Sequence, residues 1–202
     1  RVKRFDSDTL KSERLEQQYT SVKEGDVDIL VGTQMLGKGL DLPKLAVVGI
    51  ITAETSLSFP DYTAEERTYQ LITQALGRVN RGHVTGTAIV QTYQPQSPLL
   101  KAAIFKNYEV FYEQQVEERR LYKFPPFRYL LKLSCSRATS ASAKRASLEL
   151  VQKLRTSGSP IEIIGPNPAF AEKTHGRYHW QIIIKATTRP VLVDIIKDLP
   201  AN

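Results

Sequence analysis

Asp26-Val-Asp-Ile-Leu-Val-Gly-Thr-Gln-Met-Leu-Gly-Lys-Gly-Leu-Asp-Leu-Pro43, answered further on by Gln74-Ala-Leu-Gly-Arg-Val-Asn-Arg-Gly82, is the stretch that decides how this chain folds. Val27, Ile29, Leu30 and Val31 make an apolar run of the kind a strand shows when both its faces are covered. Because the run ends in Gly32, Gly37 and Gly39, it predicts a buried parallel strand feeding a glycine-rich loop. With no Cβ over them, the N–H groups of such a loop lie open to phosphate oxygens. Thr63 with Glu66 three residues on reads as a capping box, which predicts a helix from about residue 63 to the region of Gly77.

At about 100° per residue, Tyr69, Ile72, Leu76 and Val79 fall on one side of that helix, and Gln74, Arg78 and Arg81 on the other. Gly77 lies at the edge of the polar stripe, where the backbone can be approached closely. The spacing Gln-x-x-Gly-Arg-x-x-Arg follows the loop Thr-Gln-x-x-x-Lys-Gly-x-Asp-x-Pro by the interval a βαβ unit needs. Together they resemble motifs V and VI of superfamily 2 helicases, in the second RecA-like lobe. Val31 to Pro43 and Leu57-Ser-Phe-Pro-Asp-Tyr62 resemble more closely still the PriA family of primosomal replication-restart helicases. Two departures stand out. The second motif reads Leu-Gly-Arg-Val-Asn-Arg where the family usually has Ala-Gly-Arg-Ala-Gly-Arg, and Thr63 occupies the place of a family arginine.

Composition bounds the remainder. Apolar residues make up 41% of the chain and charged ones 24%, as in a soluble globular protein. No apolar stretch reaches the length of a membrane span and no leader opens the chain, so a cytoplasmic protein without membrane contact is expected. The single cysteine, Cys135, excludes an internal disulfide and a multi-cysteine zinc site within these residues. His175 and His179 have the spacing of metal ligands but no third ligand nearby, and no metal site is expected here. The net charge of +7 is unevenly placed: residues 1–95 carry 11 Lys+Arg against 12 Asp+Glu, residues 96–202 carry 17 against 9. A basic surplus confined to one half attracts a polyanion, usually nucleic acid.

Outward from the deciding stretch, Arg1 to Asp6 reads as a short strand with no turn or cap before it, as in a chain cut from something longer. A helix over residues 11–24 carries Leu15, Tyr19 and Val22 as its stripe and stops at Gly25. Leu45 to Thr52 and Thr87 to Thr92 read as further strands. Leu100, Ile104, Tyr108, Phe111 and Gln115 predict one long amphipathic helix to about Leu121, broken by an extended Phe124-Pro-Pro-Phe127. Residues 127–136 alternate as a strand with Cys135 on its apolar side, and a helix follows with Ala143, Ala146, Leu150, Val151 and Leu154 inward. A short strand, Ile161 to Ile164, then leads into a loop holding Pro166 and Pro168. In the next strand Tyr178, Trp180, Ile182 and Ile184 face inward, while Arg177, His179, Gln181 and Lys185 face out. With Lys173 in the lead-in, that outer face is a candidate for phosphate contact without base readout. Gly176 to Ile182 also resembles the Gly-Arg-x-x-Trp-Gln-Ile of the PriA-family C-terminal domain.

The expected fold is therefore α/β, with a partial RecA-like lobe over residues 1–96, a bridging helix and linker over 97–124, and a small α/β C-terminal DNA-binding domain over 125–202. The resemblance implies ATP and Mg2+ held mainly by a first lobe absent from this chain, and a zinc module upstream. It implies Arg81 as an arginine finger, Arg78 as its companion, Gln74 as a polar sensor, Gly39, Asp41 and Gly77 as nucleotide-binding residues, and Gly39 with Asp41 as the link between nucleotide and DNA. Thr33, Gln34 and Lys38 would lie near the DNA backbone. DNA, single-stranded DNA-binding protein and primosome proteins are the implied partners, with Arg189 part of a basic surface that would meet the acidic tail of single-stranded DNA-binding protein. No Gly-x-x-x-x-Gly-Lys-[Ser/Thr] occurs, so this piece alone is not expected to hydrolyse ATP. The altered motif VI leaves a second reading, a non-catalytic DNA-binding adaptor on a decayed helicase lobe.

Overall fold

The computed structural model describes residues 1–5, 20–32, 42, 44–79 and 86–199. Thr33, Gln34, Lys38, Gly39, Asp41 and Arg81 lie outside the described residues, as does most of the predicted 11–24 helix. Two compact units divide the chain, Arg1–Glu113 and Gln114–Asn202.

In the first unit β1 (Val2–Phe5) pairs in parallel with β2 (Ile29–Gly32), and β3 (Val47–Ile50) with β4 (Thr87–Val90). Parallel neighbours cannot be joined by a tight turn, and helices supply the crossovers. Residues 20–24 are helical and end at Gly25, whose φ of 92° is the left-handed conformation that closes a helix; Asp26 N–H returns to the Ser21 carbonyl at 3.0 Å. Between β3 and β4 runs α1 (Ala64–Leu76), after a 3-10 turn at Ala53–Ser58. Its stripe behaves as the periodicity predicts: Tyr69 and Ile72 are buried, with Leu76 packed beside them. They meet Leu99, Leu100, Ala102 and Ala103 of α2 (Pro98–Ile104) and Phe111 of α3 (Tyr108–Leu121). The Tyr69 and Phe111 rings stack at 4.1 Å, and burial pushes the Tyr69 phenol pKa up.

Three local expectations fail here. β2 is not covered on both faces: Ile29 and Val31 are exposed, because among the described residues β2 has β1 as its sole strand neighbour. The capping box at Thr63 does not form; Asp61 instead accepts the Thr63 N–H at 3.0 Å and its hydroxyl at 2.9 Å, while its other oxygen meets Arg67 at 3.0 Å. An aspartate two residues upstream reaches the free N–H first, and Glu66 turns to Gln70. The single long helix is two. Lys106 takes φ 54°, and the N–H groups of Asn107 and Lys106 return to the carbonyls of Ala102 and Ala103, a Schellman closure with lysine in the usual glycine position. Asn107 then caps α3 by accepting the Val110 N–H.

The second unit is a three-stranded antiparallel sheet in the order β5 (Tyr129–Arg137), β7 (Arg177–Ala186), β6 (Ile161–Thr174). Helices α4 (Ser140–Thr156) and α5 (Arg189–Lys197) bury Val151, Leu154, Leu192 and Ile195 against Ile182 and Ile184 of the central strand, with Leu131, Leu133, Ile161 and Ile163 alongside. β6 continues through Pro166 and Pro168, where a loop was expected. It can do so because it lies at the edge of the sheet and its register with β7 shifts between Ile164 and Asn167 and again between Pro168 and Lys173. The His175-Gly176 loop to β7 has φ of 49° and 75°, the two positive values a type I′ hairpin turn requires. Residues 125 and 126 form a turn with a cis bond between the prolines, where an extended path was expected.

Candidate functional site

At the end of α1, Gln74 is exposed and Gly77 caps the helix, donating its N–H to the Thr73 carbonyl at 2.9 Å. A Cβ at Gly77 would stand 3.1 Å from that carbonyl oxygen, so the close approach there is made by the helix's own backbone. Half-buried Arg78 follows, its N–H on the Ala75 carbonyl. Val79 is buried and touches Gly86, where a Cβ would collide with the valine and lie 3.0 Å from the Ala46 carbonyl oxygen. Val79 and Gly86 thus hold the two flanks of residues 80–85 together. Glu54, after β3, accepts the N–H groups of Tyr93 at 3.0 Å and Gln94 at 3.2 Å, tying together the segments that leave the C-terminal ends of β3 and β4. Ligands of α/β sheets bind at that end. Gln74 and Arg78 lie at the other end, where α1 finishes beside the starts of β3 and β4, and among the described residues they bring amide and guanidinium donors there, the chemistry a phosphate group accepts.

In the second unit the four predicted cations separate. Arg177 is exposed, with Nε on the Ser136 hydroxyl at 2.9 Å and Nη2 on the Ser136 carbonyl at 3.0 Å. His179 shares the face of Thr174, its Nε2 lying 2.7 Å from that hydroxyl. Lys173 pairs in register with Tyr178 and lies on the opposite face, its ammonium 5.1 Å from the Tyr178 ring centroid. Lys185 does not face out. It is 6% exposed, donates to the Tyr122 carbonyl, and lies 4.5 Å from the Phe124 ring centroid. The turn at 122–127 covers that end of the strand, which makes Lys185 a structural tether and removes it from the candidate contact face.

Arg137 was missed by the sequence reading. It ends β5 opposite Tyr178, and its Nη1 donates to the same Ser136 carbonyl at 2.9 Å. Nearby, Lys144 lies 5.7 Å from the Trp180 ring centroid, and Ser140 accepts from Trp180 Nε1 at 3.2 Å while donating to Glu172 at 2.6 Å. No local pattern shows the Arg137–Arg177 meeting; only the β5–β7 register does. Among the described residues no three metal-ligating side chains gather, and no helix is long and apolar enough to cross a membrane.

Comparison with known proteins assigns both units. The helicase conserved C-terminal domain matches residues 1–83, and the primosomal protein N C-terminal domain matches residues 120–202. A lobe that matches the helicase conserved C-terminal domain, followed by one that matches the primosomal protein N C-terminal domain, defines the class, the replication-restart protein family. The chain is 37% identical over 185 residues to replication restart protein PriA of Synechocystis sp., covering 90% of this chain and 22% of that protein. It is 34% identical to the PriA proteins of Bacillus subtilis and Treponema pallidum, covering 98% of this chain and 25% and 30% of theirs. The chain belongs to the PriA family, of which it is a C-terminal part, and it spans about a quarter of the length of these relatives.

Proposed function

We propose that this chain completes the motor and supplies DNA contacts in an ATP-dependent helicase that binds branched DNA and reloads the replisome at stalled forks. The observation that carries the reading is the succession, in one chain, of a helicase C-terminal domain and a primosomal C-terminal domain. ATP, with Mg2+, supplies the free energy for strand separation when bound between this lobe and a first lobe. Gln74, Arg78 and Arg81 bring donors and positive charge to the nucleotide phosphates, Gly39, Asp41 and Gly77 contact the nucleotide, Gly39 and Asp41 linking it to DNA, and Thr33, Gln34 and Lys38 meet the DNA backbone. Arg177, Lys173 and His179 add backbone contacts from the second unit. Single-stranded DNA-binding protein and primosome proteins are the partners, zinc belongs to a module upstream, and the chain alone does not hydrolyse ATP.

An arginine finger acts on charge that grows in the transition state and contributes on the order of 10³ to 10⁵ in turnover. Arg81→Ala in the longer protein should remove most DNA-stimulated ATPase activity and leave ATP and DNA affinity within several-fold of the parent. Arg81→Lys should rescue poorly, because an ammonium lacks the planar two-point contact. Near-parental turnover in a variant that melts at the parental temperature would reject the finger and favour the adaptor reading, which rests on Val79 and Asn80 standing in the altered motif VI.

A further inference from the structure

At the hairpin end of the β5-β7-β6 sheet, two guanidinium groups are drawn to one acceptor. Arg137 and Arg177 lie forty residues apart in sequence, but β5 ends where β7 begins, and both donate to the Ser136 carbonyl, at 2.9 and 3.0 Å. A carbonyl oxygen carries only partial negative charge, so it does not neutralise two cations. No ion pair to Arg137, Arg177, Lys173 or Lys144 occurs among the described residues. Glu172, the carboxylate on this part of the sheet, is engaged by Ser140. Each guanidinium has five N–H donors in a planar fork, of which Ser136 takes one from Arg137 and two from exposed Arg177. Lys173 and Lys144 stand on the opposite face of the sheet, over Tyr178 and Trp180, so positive charge lies on both sides of this end of the sheet.

We infer that Arg137 and Arg177 together hold one backbone phosphate of a nucleic-acid strand, with Lys173 and Lys144 serving neighbouring phosphates. The inference rests on the nucleic-acid reading above and adds Arg137 to it. A phosphodiester offers two non-bridging oxygens to two forks, and the strand's repeating charge matches cations spread around an edge. The basic balance of residues 96–202, 17 Lys+Arg against 9 Asp+Glu, draws the same polymer.

The test uses the 202-residue chain and a dye-labelled single-stranded oligonucleotide of mixed sequence, with anisotropy read between about 50 and 200 mM salt. For single strands the log–log salt slope changes by about 0.7 per phosphate contact. Arg137→Gln/Arg177→Gln should lower the slope by about 0.7 in all, and neither single variant should lower it further. A drop of about 1.4 composed of two equal halves means two separate phosphates and overturns the shared site; an unchanged slope overturns it as well. Arg137→Lys/Arg177→Lys should keep the slope and lose affinity about threefold to tenfold, and full retention of affinity would reject the fork geometry. Displacement of the oligonucleotide by poly-glutamate of matched charge at equal concentration would reassign the pair to acidic peptides. Parental Trp180 emission and melting temperature show that each variant is folded. If the parental chain itself binds no oligonucleotide, the broader nucleic-acid reading fails, whereas a parental chain that binds beside an indifferent double variant rejects this site alone.

Discussion

Replacing Lys185 by methionine should cost the second unit stability and leave nucleic-acid binding untouched. The ammonium is buried, donates to the Tyr122 carbonyl and lies over the Phe124 ring. A hydrogen bond from a charged donor contributes about 1.5–3 kcal/mol, and a desolvated cation–π contact about 2 kcal/mol. Against these stands the penalty of several kcal/mol for keeping an ammonium out of water, which methionine relieves while filling much the same channel. Tyr122 is exposed, so its carbonyl can regain a water partner. The balance is a loss of about 1–2 kcal/mol, or roughly 4–16 °C in melting temperature for a unit of this size. Trp180 is the chain's single tryptophan and lies in the second unit, so its emission during heating reads that unit without interference from the first. The salt slope for oligonucleotide binding should not move. A variant that melts at or above the parental temperature and loses about 0.7 of slope would refute the burial argument and return Lys185 to the candidate contact face.

Gly86→Ala should destabilise the first unit by about 1–3 kcal/mol, read by urea unfolding followed through circular dichroism, because its methyl group must displace Val79 or the Ala46 carbonyl. Asp61→Ala should weaken the start of α1 by about 1 kcal/mol while Glu66→Ala costs less than half of that, reversing what a capping box would give; hydrogen exchange at residues 63–67 checks the order. Ser140→Ala should cost about 1 kcal/mol and shift Trp180 emission, since the hydroxyl joins the indole N–H to Glu172.

What the sequence disclosed and what it hid divide along physical lines. The buried side of α1 was legible because Tyr69, Ile72 and Val79 repeat at the helical period, and burial follows period when one face is covered. The inward row Ile182 and Ile184 was legible for the same reason at period two. Lys185 was misread because alternation tells which face a residue occupies, not what covers that face; the cover comes from Tyr122 and Phe124, sixty residues earlier. The length of β6 was hidden since tolerance of proline depends on lying at an edge, a property of strand order rather than of the strand. The break at Lys106 was hidden because no glycine marked it. Motif V and motif VI residues were named from spacing and family likeness, and of the candidates among them the described residues include Gln74, Gly77 and Arg78.

The three described strands of the second unit leave two flanks from which a sheet could grow by recruiting strands from other molecules, and both are guarded. Along β6, Pro166 and Pro168 offer no N–H, and the two register shifts spoil the straight ladder that an incoming chain would need. Along β5, exposed Lys132 and Arg137 set positive charge where a second copy would bring the same charge. Self-assembly into stacked filaments is thereby opposed by backbone chemistry on one side and by repulsion on the other, so this small domain can be present at high concentration without polymerising.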